Sequence, residues 1–314
     1  MKIKMNRLKN LIKTNELEGK RIIVTGCSYK PIEHVFTNLI DEDLSHDSIF
    51  VESEEMKINI GTATAFSLAA KGATIHMVSR SIERLENIKK AIVETLNISP
   101  KKIEYSQVDL LDEDEVKNFV YEIKKDKPIW WYQSIGLGAG AYKVKNDNPY
   151  LHIEDIPTEL LEKESQIVLR GTHILMKELL PIFKNQFEKF GCETRIVIVS
   201  SMSAVRGYAL GGTHCAAKGA ISRYTNAAML DFYKKKIFVT DLRPGAIDTG
   251  MYDNEFVQKS ILEIDDEYNG LWREKFRLAP PISVGESAAQ IFTNSSHITS
   301  LNLVAEGQFP HEGS

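Results

Sequence analysis

A chain of 314 residues with 43% hydrophobic and 26% charged residues is expected to fold around a full apolar core, as globular proteins do. Its formal net charge of −4 and its pI near 6.1 argue against a nucleic-acid partner, which would require a basic face. The basic first residues lack the apolar core of a signal peptide, and no run approaches the roughly 18 apolar residues of a membrane helix, so we expect a cytoplasmic protein with no membrane partner.

Short β-branched runs alternate with longer amphipathic segments along the chain. This alternation predicts an α/β fold, in which helices cover both faces of a parallel sheet in three αβα layers. We expect one domain over residues 17–314, after an N-terminal extension of residues 1–16. Strands are predicted at 21–25, 74–78, 103–108, 129–133, 195–200, 237–242 and 300–304, and helices at 62–70, 82–96, 113–124, 157–190, 213–233 and 284–292.

A glycine turn that is split by an insertion follows the first strand. Gly26 and Ser28 leave the strand, and Ile60 and Gly61 open the first helix. Such a turn before a helix N-terminus lets backbone N–H groups and the helix dipole hold a pyrophosphate, as in Rossmann-type, doubly wound sheets. Residues 29–58 separate the halves, whereas a βα connection normally takes roughly 2–6 residues. We expect this insertion to carry a short helix near residues 31–40 and to pack near the adenosine side of the nucleotide or against a neighbouring subunit.

The residues after the second predicted strand are Ser79, Arg80 and Ser81. Sites for NAD usually place an acidic residue here, where it holds the ribose 2′-hydroxyl. Arg80 instead suits a 2′-phosphate through a charge-assisted contact, with Ser28 as a second donor, and therefore predicts NADP(H). The alternative interpretation of Arg80 is a solvated cation at a helix start.

From about Leu17 to Gly307 the sequence resembles the short-chain dehydrogenase/reductase family. The segments LEGKRIIVTG, NIGTATAFSLAAKGA, QVDLLDEDEV, IVIVSSMSA and DLRPGAIDTGM match the family in the family's order. The resemblance implies an NADP(H)-dependent oxidoreductase that interconverts a carbonyl and an alcohol, with catalytic residues at Ser201, His214 and Lys218. It implies a cofactor site at Gly26, Ser28, Ile60, Gly61, Ser79, Arg80, Ser81, Asp109 (at the adenine), Leu110, Ser134, Gly136, Lys218, Pro244, Gly245, Ile247 and Thr249 (near the nicotinamide carboxamide).

The chain departs from the family at its most reactive positions. Where the family keeps its catalytic Tyr, four residues before Lys218, this chain has His214. The family's catalytic Asn aligns with Val168, its NNAG turn reads Gln-Ser-Ile-Gly over residues 133–136, and the second glycine of its nucleotide turn is Asn59. These departures put ordinary carbonyl reduction in doubt.

The chemistry expected of His214 depends on its charge. The ammonium of Lys218 is expected to disfavour the imidazolium form, and a neutral imidazole accepts a proton from an alcohol more readily than it donates one. His214 is therefore suited to alcohol oxidation or to enolisation. Alternatively, the chain is a catalytically silent NADP(H)-binding regulatory or scaffold protein, a redox-neutral dehydratase or isomerase, or an enzyme in which Tyr208 or Tyr252 supplies the proton.

The substrate side is less defined by sequence. Residues 250–281 mix aromatic and acidic side chains and are expected to form a substrate loop over a mid-sized apolar ligand, although these aromatics are equally compatible with simple packing. Family analogy implies a small-molecule or carrier-bound acyl substrate contacted by Tyr208 and Tyr252, and a homodimer or homotetramer built on the two long helices. Neither the cysteines nor the histidines show ligand spacing, so no metal site is predicted.

Overall fold

The structure is a computed structural model that describes residues 7–32, 47–136, 151–208, 210–250, 278–294 and 300–303. The seven predicted strands lie within a few residues of their predicted bounds, as do the predicted helices apart from the one at 157–190, whereas three further strands of the insertion were not predicted. Within the described ranges no helix is both long and apolar enough to cross a membrane. The strands are β1 (Arg21–Thr25), β2 (Tyr29–Pro31), β3 (Ser48–Val51), β4 (Glu54–Ile58), β5 (Thr74–Ser79), β6 (Ile103–Gln107), β7 (Ile129–Gln133), β8 (Thr194–Val199), β9 (Ile237–Pro244) and β10 (Ser300–Leu303). The helices are α1 (Ile60–Ala70), α2 (Ile82–Leu96), α3 (Glu113–Glu122), α4 (Thr158–Ser165), α5 (Gly171–Phe190), α6 (Gly212–Phe232) and α7 (Pro281–Thr293).

Seven parallel strands of the described residues form one central sheet, in the order β10-β9-β8-β7-β1-β5-β6. β1 lies between β5 and β7, so the chain winds outward from β1 first in one direction and then in the other. This reversal is the switch point of a doubly wound sheet, where the carboxyl ends of neighbouring strands open a crevice for a ligand. The predicted Rossmann-type α/β fold is confirmed.

The apolar core lies on both faces of this sheet. Successive residues of β1 point to opposite faces, so Ile22 and Val24 enter one buried cluster while Ile23 enters the other. Each of the five residues of β1 is buried. A strand that is covered on both faces needs a continuous apolar run rather than an alternating one, which explains the sequence of this segment.

The insertion forms a small antiparallel sheet of its own, in the order β2-β4-β3. A two-residue hairpin joins β3 to β4, and both of its residues, Glu52 and Ser53, have positive φ angles of 49° and 72°. The short helix predicted over residues 31–40 begins with Pro31, which lies in strand β2 instead. The rest of that prediction, from residue 33 onward, lies outside the described residues.

The single helix predicted over residues 157–190 is divided by one π-helical turn. α4 ends at Ser165, a π-helical segment covers Gln166–Arg170, and α5 begins at Gly171. The Thr172 hydroxyl donates to the carbonyl of Val168 at 2.6 Å within this irregular turn. Because a π-turn contains an extra residue, it changes which side chains of α4 and α5 face the same neighbour, and such turns are frequent at functional sites.

Helix α1 is buried along nearly its whole length because it packs against both β1 and α7. Small residues allow the two helices to approach closely. A Cβ atom added to Gly285 of α7 would lie 2.7 Å from the Ser67 hydroxyl oxygen and 2.8 Å from the Ala63 carbonyl oxygen. The backbone of α1 therefore leaves no room for a side chain at position 285.

We expect Gly285→Ala to lower the free energy of unfolding by about 1–3 kcal/mol, because the added methyl group must push α7 away from α1. Gly219→Ala is the matched control, since nothing lies within 4 Å of the Cβ position of Gly219 inside α6. The higher helix propensity of alanine predicts a gain of up to about 1 kcal/mol there. Denaturant unfolding measures both values, and equal effects would contradict the packing described for α1 and α7.

Candidate active site

The two halves of the glycine turn are rejoined by the side chain of Asn59. Its Nδ2 donates to the Gly26 carbonyl at 2.7 Å, while its Oδ1 accepts from the backbone N–H groups of Ser28 at 3.1 Å and Thr62 at 3.0 Å. The same side chain is the N-cap of α1. The chain thus leaves the turn at Ser28 and returns beside it at Asn59, so that the insertion interrupts the turn in sequence but not in space.

The rejoined turn forms a narrow cradle at the start of α1. Gly26 has a φ of +88°, and a Cβ atom on Gly61 would lie 2.6 Å from the Gly26 carbonyl oxygen and 2.7 Å from the Ser134 hydroxyl oxygen. The N–H groups of Ile60 and Gly61 precede the first intrahelical hydrogen bond, so they are oriented toward a ligand at the helix N-terminus. Backbone approach this close, with two helix N–H groups facing outward, fits the pyrophosphate of a dinucleotide.

A cleft of about 960 Å³ opens at the carboxyl ends of the strands and extends from this turn across the sheet. Its volume is at the upper end of the range of ligand pockets. Of the predicted residues, Gly61 lies behind the turn rather than in the lining, and Tyr252 lies outside the described residues. The structure brings the others together in the lining: Gly26, Ser28, Ile60, Ser79, Arg80, Ser81, Asp109, Leu110, Ser134, Gly136, Ser201, Tyr208, His214, Lys218, Pro244, Gly245, Ile247 and Thr249.

A second arginine, which the sequence reasoning missed, joins Arg80 at the adenosine end of the cleft. The guanidinium of Arg84 donates to the Ser28 hydroxyl at 3.1 Å and lies 5.8 Å from the centre of the Tyr29 ring. Tyr29 and Lys30 belong to the insertion and line the cleft as well. Three cationic side chains therefore line this end together with the acidic Glu83 and Asp109, and the remaining excess of positive charge favours an anionic group.

Ser201 follows β8 and caps the short turn after it. Its hydroxyl oxygen accepts a hydrogen bond from the backbone N–H of Ser203 at 3.2 Å. A hydroxyl that accepts through its oxygen keeps its own proton for donation. Ser201 is therefore able to donate to an oxygen atom of a ligand in the cleft.

His214 lies in the first turns of α6 and makes a contact that the sequence did not indicate. Its Nδ1 lies 3.1 Å from Oε1 of Glu164, a residue of α4 whose side chain is 1% exposed. Because a carboxylate only accepts hydrogen bonds, this contact places a proton on Nδ1 of the ring. Nε2 is then left to exchange a proton with a ligand. Glu164 lies one helical turn before Val168, the position that the resemblance aligns with the family's Asn.

Lys218 is buried at the floor of the cleft, four residues after His214. Its ammonium donates to the carbonyl oxygens of Val199 at 3.2 Å and Ile135 at 3.4 Å, which ties the end of β8 to the turn after β7. Burial lowers the pKa of Lys218 to about 8, while the negative charges of Glu164 and Asp241 act in the opposite direction. The ammonium is charged near neutral pH and is close to its titration range.

The buried charge of Lys218 predicts a specific pH dependence of stability. Its pKa is about 8 in the folded chain and has the ordinary value of 10.5 when solvated, so the unfolded state binds more protons between these limits. Below pH 8 the folded chain bears the full cost of burying the charged ammonium. As the pH increases toward 10.5, the free energy of unfolding is therefore expected to rise by up to a few kcal/mol. Denaturant unfolding at pH 7 and pH 10 measures this gain relative to Lys218→Met, in which it should be absent. An equal change in both proteins would contradict the assignment.

A profile of the short chain dehydrogenase family matches residues 58–260. The 2,5-dichloro-2,5-cyclohexadiene-1,4-diol dehydrogenase of Sphingobium indicum is 26% identical over 270 residues, which are 85% of this chain and 98% of that relative.

Solved structures share the fold over nearly the whole chain. The L-sorbose reductase of Gluconobacter frateurii, in complex with NADPH and L-sorbose, has a TM-score of 0.63 at 18% identity, covering 93% of this chain and 97% of the other. The 3-ketoacyl-(acyl-carrier-protein) reductase of Brucella melitensis, in complex with NADH, has a TM-score of 0.66 at 21% identity, covering 91% and 97%. This chain belongs to the short chain dehydrogenase family and is an oxidoreductase of that family.

Proposed function

We propose that this chain is an NADP(H)-dependent oxidoreductase that interconverts a carbonyl and an alcohol, with the imidazole of His214 as its acid and base. The observation that carries the proposal is the contact between His214 and the buried carboxylate of Glu164, in the same cleft as the glycine turn. A carboxylate on one ring nitrogen is a known way to prepare the other nitrogen for proton transfer. A histidine that merely filled space would not need a buried carboxylate.

The cleft has the features that a dinucleotide requires. The glycine cradle would receive the pyrophosphate, and the basic group formed by Lys30, Arg80 and Arg84 would surround the 2′-phosphate that distinguishes NADP(H) from NAD(H). Asp109 is oriented at the adenine side by accepting from the Leu111 N–H at 3.0 Å. When bound, the nicotinamide supplies the hydride acceptor or donor, depending on direction.

The residues around the reacting oxygen would each have a separate role in proton transfer. Nε2 of His214 would take the hydroxyl proton of an alcohol, and the carboxylate of Glu164 would offset the positive charge that the ring acquires. In the reductive direction the same nitrogen would return the proton to the oxygen atom. The Ser201 hydroxyl would polarise the oxygen by donating to it.

The substrate that fits this arrangement is a ketone or secondary alcohol, either a small molecule or an acyl chain on a carrier. The relatives include an enzyme named for a cyclic diol, and solved structures named for a sugar and for a carrier-bound ketoacyl group. Tyr208 would contact the substrate, since it lines the cleft at the start of α6. Its ring is seated against Gly211, where a Cβ atom would lie 2.1 Å from it. We also propose the homodimer or homotetramer and the substrate role of residues 250–281.

The basic group at the adenosine end predicts a preference for NADP(H). We expect at least tenfold tighter binding of NADPH than of NADH, because a hydrogen bond to a charged group is worth roughly 1.5–3 kcal/mol. Arg80→Glu and Arg84→Glu should each abolish or invert this preference, as measured by cofactor fluorescence titration. Lys90→Glu, at an exposed position of the same helix α2, is the charge-matched control and should preserve it. Equal affinity of the parent protein for both cofactors would contradict the assignment.

The proposed acid and base predicts a graded loss of turnover. His214→Ala should lower kcat by about 100-fold or more, the usual contribution of a general base, while leaving NADPH affinity nearly unchanged. Glu164→Gln should lower kcat as well, because an amide no longer selects the Nδ1 tautomer or offsets the ring charge. His173→Ala, an exposed histidine of α5, is the matched control and should keep full activity.

A panel of ketones and secondary alcohols would measure these variants in both directions. If His214→Ala kept full activity while Tyr208→Phe or Tyr252→Phe lost it, that tyrosine would be the acid and base. The proposed mechanism would then be wrong. Absence of turnover in the parent protein over the whole panel would favour a silent cofactor-binding protein.

A further inference from the structure

The insertion contacts the loop that follows β9 through one buried ion pair. Lys57 of strand β4 has a side chain that is 1% exposed, and its ammonium lies 2.7 Å from Oδ1 of Asp248, which is 7% exposed. These two residues are 191 positions apart in the chain. Lys57 lies directly opposite Lys30 in the register of β2 and β4, so both side chains point to one face of the insertion's sheet. Lys30 lines the cleft, while Lys57 reaches the loop after β9.

A second contact fastens the insertion to the start of α7. The carboxylate of Asp47 accepts from the backbone N–H of Ile282 at 2.7 Å, and its own carbonyl accepts from the N–H of Ile58 at 3.1 Å. The loop after β9 is joined to the same place, since the Asp248 N–H donates to the Ala279 carbonyl at 2.9 Å. The insertion therefore holds the two chain segments that flank residues 251–277.

Neighbouring side chains of this loop point in different directions, and this determines what the ion pair can do. Ile247 and Thr249 line the cleft, whereas Asp248 between them points away from it, toward Lys57. A buried ion pair adds little net stability, because removing both charges from water costs about as much as their attraction returns. What such a pair does provide is a fixed position, since any displacement of the loop would leave two buried charges apart.

We propose that the insertion is a positioning element for the nicotinamide half of the cofactor, acting through Lys57 and Asp248 on Ile247 and Thr249. The proposal rests on the proposed dinucleotide function, and it makes Lys57 a positioning residue that does not itself touch the cofactor. The glycine cradle and the arginines at the adenosine end do not depend on this ion pair. Loss of the pair should therefore weaken only the contacts of the nicotinamide half.

Two probes separate the two halves of the cleft. NADPH occupies both ends, whereas adenosine 2′,5′-bisphosphate carries the adenosine and the 2′-phosphate without a nicotinamide. Calorimetric titration of Lys57→Met is expected to show about tenfold weaker binding of NADPH, a modest effect for a displaced contact, and unchanged binding of adenosine 2′,5′-bisphosphate. Lys90→Met, the same substitution at an exposed lysine, should leave both affinities unchanged.

Lys57→Met leaves the Asp248 carboxylate buried opposite a methionine, which endangers folding. The double variant Lys57→Met/Asp248→Asn removes both charges at once, so that no unpaired buried charge remains, and should show the same selective loss of NADPH affinity. Equal losses for both probes, or no loss for either, would overturn the positioning role while the proposed function stands. If the parent protein fails to bind NADPH, the proposed function falls and the inference falls with it.

Discussion

The side-chain amide of Asn59 is the interaction on which the site depends. A nucleotide turn must bring the end of β1 and the start of α1 within a few ångströms of each other, and here residues 29–58 lie between them. Asn59 meets this constraint by donating to the Gly26 carbonyl while accepting from Ser28 and Thr62. The family has a glycine at this position. The larger residue is accommodated because its side chain supplies the hydrogen bonds that close the interrupted turn.

Because Asn59 closes the interrupted turn, the insertion can form part of the site. A long loop with free ends would add conformational entropy and little else. Because both ends are fastened at one point and paired as β2 and β4, the described residues of the segment form a small sheet against the domain. One end of that sheet places Tyr29 and Lys30 in the cleft, and Lys57 contacts the loop after β9. The insertion thus adds Tyr29 and Lys30 to the wall of the cleft and supports the loop after β9 through Lys57.

His214, which the resemblance places at the position of the family's catalytic Tyr, lies beside a buried carboxylate. In the family, an ammonium beside a phenol makes the phenol a better acid. An imidazole needs the opposite partner, a carboxylate, to hold its tautomer and to stabilise its charged form. Glu164 provides that carboxylate, while Lys218 keeps its place and holds two carbonyl groups in the floor of the cleft. The two departures from the family, at His214 and at Val168, are therefore chemically consistent with each other.

The sequence by itself determined the layered α/β fold, the order of its elements and the position of the nucleotide turn. These follow from local rules: apolar periodicity distinguishes strands from helices, and Gly26 and Gly61 are needed wherever backbones approach this closely. The hairpin at Glu52 and Ser53 was missed because its two left-handed residues lack the Asn-Gly signal of such turns. Only the tertiary structure decided the partners of the charged residues. Glu164 is 50 residues from His214, and Lys57 is 191 residues from Asp248, so no local periodicity relates them. They lie together because burying an unpaired charge costs a large free energy, so packing of the helices and sheets favours an opposite charge beside each buried one.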